Sequence, residues 1–295
     1  MAKLGWIGMG DIGAPMVVRL QDAGHQIVVW GRNRDRLKPA LEKGAVEAHS
    51  PAEIASVCEA VFLCVTDTDA VEKVVFGPSG VAEGASAGKL LIDHSTIHPE
   101  RSRKMASRLR EEKGMGWVDA PVTGGSIGAR EGTLTILIGG EATEVERCRP
   151  WMCAYGRKIT HMGPSSFGQL TKSCNQAVFF TTLAIWAETL NYAKRVGLDP
   201  AKMVDALEGG YADSPVRRVH VPIMISANFP HHSAKLMLKD SEILNDMARI
   251  TNSPMPVSAT VLSLIQRQID EGHEMTGPMG LIKLYSDKPL TGKEK

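Results

Sequence analysis

Lys172 and Asn175 stand three residues apart in the stretch Gly168-Gln169-Leu170-Thr171-Lys172-Ser173-Cys174-Asn175-Gln176. On a helix this spacing sets an amine and an amide on one face, so both can point into one cleft. Upstream, Asp119-Ala120-Pro121-Val122-Thr123-Gly124-Gly125 follows an apolar, strand-like run. A glycine-rich turn in that place exposes successive backbone N–H groups that cradle an anion. Downstream, Lys239 lies inside the apolar stretch Leu236-Met237-Leu238-Lys239-Asp240. At the N-terminus, Gly8-Met9-Gly10-Asp11-Ile12-Gly13 places GxGxxG between a first strand and a first helix. Gly8 serves the tight turn, Gly10 the approach of a pyrophosphate and Gly13 close helix–strand packing, while the helix N-terminus faces the phosphates. Together these residues are expected to bind a dinucleotide.

The end of the second strand says which one. It reads Val29-Trp30-Gly31-Arg32-Asn33-Arg34. An Asp or Glu about 20 residues past the fingerprint would bind a ribose 2′-hydroxyl, as in NAD sites. Gly31 stands there instead, followed by Arg32 and Arg34, whose planar charged donors favour a 2′-phosphate. NADP(H) is therefore the expected coenzyme, with NAD(H) left open. The bland alternative is that the two arginines only decorate a helix start.

These groups need a scaffold, and the first half of the chain alternates strand and helix patterns. Apolar runs at 3–8, 26–30, 61–65, 90–93 and 116–120 are short and bounded by Gly, Asp or Thr, like strands buried on both faces. Helical stretches at 11–23, 35–43, 51–57, 69–75 and 99–113 separate them. That order predicts an α/β fold with a Rossmann-like, doubly wound parallel sheet. Strands at 133–139 and 157–161, around a helix at 143–153, extend it. After Gly163 the pattern changes. Residues 167–195 contain no proline and one glycine, and apolar positions recur every three or four residues, which predicts one helix of roughly 28 residues, about 42 Å long. Helices at 200–208, 216–228, 236–251, 257–271 and 280–285 follow. The chain is thus expected to comprise a dinucleotide-binding domain, 1–163, and a mainly α-helical domain, 164–295, joined near Gly163 and Pro164 by the long helix. The Lys-rich end after Asp287 is expected to fray.

Length agrees with two domains, because 295 residues exceed the size at which single cores stop growing. With 34 basic and 33 acidic residues the formal charge is +1, which argues against a nucleic-acid or polybasic membrane surface. The longest nearly apolar stretch, 177–187, is too short to span a bilayer. Met-Ala-Lys leads straight into a strand, leaving no room for a secretory signal. None of the five cysteines has CxxC or zinc-ligand spacing, and Cys58, Cys64 and Cys174 sit among apolar neighbours, so a reducing cytoplasm is expected. No metal site is expected, His231-His232 included, because no carboxylate or cysteine stands at ligand spacing.

Four ordered blocks, GWIGMGDIGAPM, DAPVTGG, GQLTKSCNQ and KLMLKD, make the chain resemble the β-hydroxyacid dehydrogenases. Two lesser blocks agree, Ile92-Asp93-His94-Ser95-Thr96 and Gly132-Thr133-Leu134 with Gly139-Gly140, and the likeness runs from Lys3 to about Leu284. The resemblance implies a Rossmann-like domain, a long connecting helix, and a helical domain that forms homodimers or homotetramers. It implies that Lys172 is catalytic and that Asn175 holds the substrate. It places Thr123, Gly124 and Gly125 on the substrate carboxylate, Thr96 at the nicotinamide, Lys239 beside the coenzyme, and Val65, Thr66 and Asp67 along the adenosine ribose. The sequence departs from the family at Thr123, where serine is commoner, at Ser166, where glycine is frequent, at Ser173-Cys174, and in the missing proline near Thr66-Asp67-Thr68-Asp69.

The chemistry implied is hydride transfer between NADP(H) and a small hydroxyacid or semialdehyde, with Lys172 as general acid/base. A lysine suits this when burial and nearby positive charge, from Lys239 or the oxidised nicotinamide, lower its pKa. Two other readings compete: imine reduction on the same scaffold, against which Lys172 argues, and a non-catalytic NADP(H)-binding module. Lys239 has a salt bridge to Asp240 as its plainer role. Glu188, on the apolar face of the long helix, is either a buried structural acid or a subunit contact. Packing is the expected role of Tyr211, Ser214 and Phe229, with pocket lining the alternative.

Overall fold

In the computed structural model, residues 1–285 are described; the fraying expected after Asp287 lies outside them. The strands are β1 (Lys3–Ile7), β2 (Gln26–Trp30), β3 (Val46–Glu47), β4 (Ala60–Leu63), β5 (Leu90–Asp93), β6 (Gly116–Asp119), β7 (Val122–Thr123), β8 (Leu134–Gly139) and β9 (Gly156–Gly163). The helices are α1 (Gly13–Asp22), α2 (Lys38–Glu42), α3 (Pro51–Val57), α4 (Thr68–Phe76), α5 (Val81–Gly84), α6 (Pro99–Lys113), α7 (Gly125–Glu131), α8 (Ala142–Met152), α9 (Phe167–Arg195), α10 (Pro200–Ala206), α11 (Pro215–Ser226), α12 (Lys235–Ile250) and α13 (Pro256–Asp270). Two 3-10 segments complete the path, Arg34–Leu37 and Gly277–Tyr285; the second replaces the α-helix expected at 280–285.

Local chemistry explains the sharpest boundaries. Pro51 opens α3 behind Ser50, whose hydroxyl accepts from Glu53 N–H, and Glu53 reaches back to His49 N–H. Pro99 opens α6, and Gly114 closes it in the left-handed region at φ 66°.

The chain divides into two compact units, Met1–Lys172 and Ser173–Lys295, so the division falls within α9. In the first, the sheet runs β3-β2-β1-β4-β5-β6-β8-β7, with β9 on β8. The pairs from β3 to β6 are parallel; β8 is antiparallel to β6 and β7 and parallel to β9. The strand order reverses between β1 and β4, where ligands bind beyond the carboxyl ends of such sheets. Side chains alternate between the faces. Leu4 and Trp6 of β1, Phe62 of β4 and Ile92 of β5 fill one core cluster, while Ile7, Val61, Leu63 and Leu91 fill the other. With apolar packing on both faces, these central strands read as near-continuous hydrophobic runs.

Among the described residues the second unit is helical, with one bridge pair, His232 with Thr276, outside the helices. Its core gathers Leu183 and Leu190 of α9, Val221 of α11 and Ile265 of α13. Among the described residues no helix is long and apolar enough to cross a membrane.

Candidate active site

The loop from β1 to α1 has the shape a dinucleotide needs. Gly8 holds φ 102°, and a Cβ there would meet the Cys64 carbonyl oxygen at 2.2 Å. A Cβ on Gly13 would meet the Gly8 oxygen at 2.1 Å, so both positions exclude any side chain. Trp6 Nε1 donates to that Gly8 carbonyl at 3.0 Å and fixes the turn from below. Met9 is buried, Ile12 half-buried, and Asp11 exposed. Gly10 has open space except for one group: a Cβ there would lie 3.8 Å from Nη1 of Arg36. The cradle therefore fits a pyrophosphate, with a guanidinium beside it.

Arg32, Asn33 and Arg34 follow β2 and are exposed. Asn33 caps the first 3-10 segment, accepting from Asp35 N–H at 3.0 Å. Arg34 turns its fork onto Glu47 of β3, at 2.9 and 2.8 Å. Neither Glu47 nor Arg36 was singled out in the sequence. Arg36 was detectable as a third arginine, at i+2 from Arg34; Glu47 was not, because its strand is two residues long.

At the ends of β4 and β5, Val65 N–H donates to Ser95 Oγ at 3.0 Å. Thr66 Oγ1 donates to Asp67 at 2.8 Å, and Asp67 caps α4 by accepting from Ala70 N–H at 2.8 Å. Thr96 is half-buried between two backbone groups bound by one side chain. Gln169 Nε2 donates to the Ser95 carbonyl at 2.7 Å, and Gln169 Oε1 accepts from Ile97 N–H at 3.1 Å.

Lys172 is buried, and its Nζ donates to the Val122 carbonyl at 3.0 Å. The structure thus brings the lysine to the turn that continues through Thr123, Gly124 and Gly125. This turn is short strand β7 followed by the seven-residue α7, with Gly124 at φ 123° as its first cap. Arg19 of α1 donates to the Arg130 carbonyl at the other end of α7 (2.7 and 3.0 Å). The start of α9 is held by Asp119, whose carboxylate accepts from Ser166 N–H at 2.7 Å and Gln169 N–H at 2.9 Å. Burial pushes the Asp119 carboxyl up to about 6, against the pull of those N–H donors and that of Gly168. Ser166 itself holds φ 76°, the left-handed region, which explains why glycine suits this position. Beneath the turn, His94 is buried with Nδ1 2.6 Å from the Ala120 carbonyl and Nε2 2.8 Å from the Tyr155 hydroxyl. A carbonyl only accepts, so Nδ1 carries the proton and Nε2 accepts from Tyr155. Burial drives the His94 pKa down to about 4, so the ring is neutral.

In the second unit Asn175 donates to Gln176 Oε1 at 2.9 Å, and Gln176 donates to Asp240 Oδ2 at 2.6 Å. Asp240 pairs with Lys239 at 2.9 Å. Asn175 and Lys239 are therefore members of one polar chain. Several expectations need correction here. Glu188 is exposed and accepts from the Tyr285 hydroxyl at 3.2 Å, so it is not a buried acid. Cys174 is exposed, because α9 turns that position away from its apolar stripe. Tyr211 is fully exposed, and Ser214 caps α11; Phe229 does pack on the helical core, with Lys283 over its ring at 5.3 Å. Among the described residues no group of three or more His, Cys, Asp or Glu could hold a metal.

Two family models cover the chain. The NAD binding domain of 6-phosphogluconate dehydrogenase matches residues 3–163, and the NAD-binding domain of NADP-dependent 3-hydroxyisobutyrate dehydrogenase matches 167–285. A 2-hydroxy-3-oxopropionate reductase of Escherichia coli (strain K12) is 36% identical over 265 residues, 89% of this chain and 89% of that protein. A 3-hydroxyisobutyrate dehydrogenase of Pseudomonas aeruginosa is 31% identical over 298 residues, 98% of this chain and 100% of its own length. The solved structure of Mycobacterium tuberculosis 3-hydroxyisobutyrate dehydrogenase with L-serine superposes with a TM-score of 0.87 at 25% identity, covering 97% of this chain and 99% of that one.

Proposed function

From the premise that the chain belongs to the β-hydroxyacid dehydrogenase family, we propose that it is an NADP(H)-dependent enzyme interconverting a small hydroxyacid and its semialdehyde, with Lys172 as acid/base. Family membership by itself makes it an oxidoreductase with a nicotinamide coenzyme. The observation that carries the finer reading is the buried amine of Lys172, tethered 3.0 Å from the Val122 carbonyl at the entrance to the Thr123-Gly124-Gly125 turn.

When bound, the coenzyme supplies the hydride. In this reading Gly8, Met9, Gly10, Asp11, Ile12 and Gly13 hold its pyrophosphate, Val65, Thr66 and Asp67 its adenosine ribose, and Thr96 and Lys239 its nicotinamide side. Arg32 takes the 2′-phosphate, Arg36 stands beside the pyrophosphate at Gly10, and Asn33 shapes the loop. Arg34 is engaged by Glu47 and would have to exchange a carboxylate for the phosphate to contribute. The Thr123–Gly125 turn holds the substrate carboxylate through its backbone N–H groups, and Asn175 steadies the substrate. In reduction, Lys172 transfers a proton from Nζ to the alkoxide oxygen as it forms: the N–H bond breaks and the O–H bond forms. Oxidation reverses the transfer. The names of the relatives, both built on three- or four-carbon acids, support a small carboxylate substrate. Residues 1–163 then serve the coenzyme, apart from the Thr123–Gly125 turn, and 164–295 serve the substrate and self-association, apart from Lys239.

Lys172→Ala is expected to lower turnover by about 10²–10⁴-fold while NADPH still binds. Near-normal turnover would overturn the acid/base assignment. A spectrophotometric NADPH assay against semialdehydes, cyclic imines and buffer alone separates this reading from imine reduction and from coenzyme binding without catalysis. Tighter binding of NADH than of NADPH would refute the coenzyme preference.

A further inference from the structure

Gln169 is 1% exposed, and both ends of its amide are used on one short loop. Nε2 donates to the Ser95 carbonyl at 2.7 Å, and Oε1 accepts from Ile97 N–H at 3.1 Å. The residue between those two backbone groups is Thr96. Gln169's own N–H donates to Asp119 Oδ2 at 2.9 Å, so its backbone is fixed to the end of β6 while its side chain is fixed beyond the end of β5. The network continues, because Ser95 Oγ accepts from Val65 N–H at 3.0 Å beyond β4. Lys172 follows Gln169 by three residues in α9, a little under one turn, or about 4.5 Å along the axis.

A buried amide is a poor core filler: it is tolerated where both its donor and its acceptor are satisfied, and a leucine of similar volume would pack there without that demand. The bonds made here are specific to a loop at the carboxyl edge of the parallel sheet, where ligands of such folds bind.

We propose that Gln169 is a positioning residue, whose amide ties the backbone on both sides of Thr96 to the turn of α9 that carries Lys172. The inference rests on the proposed acid/base role of Lys172 and the placing of Thr96 at the nicotinamide. Its consequence is that the spacing between hydride donor and proton donor depends on this side chain, so loosening it harms the chemical step more than coenzyme binding. A misplacement near 1 Å is enough to cost about 100-fold in rate.

The test uses the whole protein with Gln169→Met, which keeps volume and removes both bonds, and Gln169→Glu, which keeps the acceptor for Ile97 and removes the donor to Ser95. Amide hydrogen exchange of the peptide spanning 93–98, without coenzyme, is expected to quicken at least tenfold in Gln169→Met and by less in Gln169→Glu. Turnover with NADPH should fall by about 100-fold in Gln169→Met while the dissociation constant for NADP+ stays within about threefold of the parent, and the deuterium isotope effect from 4-deuterated NADPH should rise. Exchange at the parent rate, or turnover within about twofold of the parent, overturns the proposal, as does a loss confined to NADP+ affinity. If Gln169→Met fails to fold, the same readouts on Gln169→Glu decide. Lys172→Met, run in parallel, separates the two claims: retained turnover there sinks the acid/base reading, whereas the exchange rate of 93–98 still judges the clamp.

Discussion

Replacing Asp119 by asparagine should change how stability varies with pH, in a direction set by the surroundings of one carboxylate. Asp119 is fully buried at the end of β6, and burial raises its carboxyl from 3.8 to about 6. Between those values the native chain binds a proton that the unfolded chain has released. The stability contributed by this group is therefore fully present below 3.8 and is lost as pH rises through about 6. At about 1.4 kcal/mol per unit of pKa, the whole effect is about 3 kcal/mol. His94 acts in the opposite sense. Burial lowers it from 6.5 to about 4, so its contribution is present above 6.5 and is lost as pH falls through about 4. The two windows overlap, and the parent curve alone hides both. The quantity to measure is the unfolding free energy of the parent minus that of Asp119→Asn, from urea titrations followed by tryptophan fluorescence, since Trp6 and Trp117 are buried in the first unit. The asparagine shifts the curve as a whole, but it does not titrate. Between about pH 4 and pH 7.5 the difference should fall by about 2–3 kcal/mol. A difference that rises with pH would show that the N–H groups of Ser166 and Gln169 outweigh burial, and the reasoning would fail.

Three shorter predictions follow from neighbouring geometry. Ser166 holds φ 76°, so Ser166→Gly relieves about 1–2 kcal/mol of backbone strain against about 0.5–1 of extra chain entropy; thermal melting should rise by about 1–3 °C, and a fall would contradict the account. Arg36→Ala should weaken NADPH and NADH alike, by about tenfold, in fluorescence titrations, because it removes one charge-assisted contact to the pyrophosphate; a loss confined to NADPH would place Arg36 on the 2′-phosphate instead. His94→Leu orphans the Ala120 carbonyl and the Tyr155 hydroxyl, at about 1–3 kcal/mol each, whereas Tyr155→Phe orphans only the ring nitrogen; the first should melt several degrees lower than the second, and equal melting would refute the paired role.

Much of the scaffold was legible because its signals are local. The segments at 26–30, 51–57, 90–93, 99–113 and 167–195 begin and end where apolar period, proline, glycine and capping residues say they should. The phosphate loop was equally plain, since Gly8 and Gly13 are required by backbone geometry within a few residues of themselves. The short elements β3, β7, α5 and α7 were not visible. A seven-residue helix that holds two glycines, Gly125 and Gly128, has little propensity of its own, and α7 is held instead by Arg19, 111 residues from the carbonyl it bonds. The same holds within the site. Lysine and turn were identified by type and spacing, but Lys172 reaches the carbonyl of Val122 across 50 residues, Ser166 reaches Asp119 across 47, and Gln169 reaches Ile97 across 72. Residue types and their short-range spacing determined which groups could react and which segments carry them. The partners of Asp119, Gln169, His94 and Arg34 were decided by folding alone, because a hydrogen bond depends on angstrom-scale distances that only the packed sheet and its helices set.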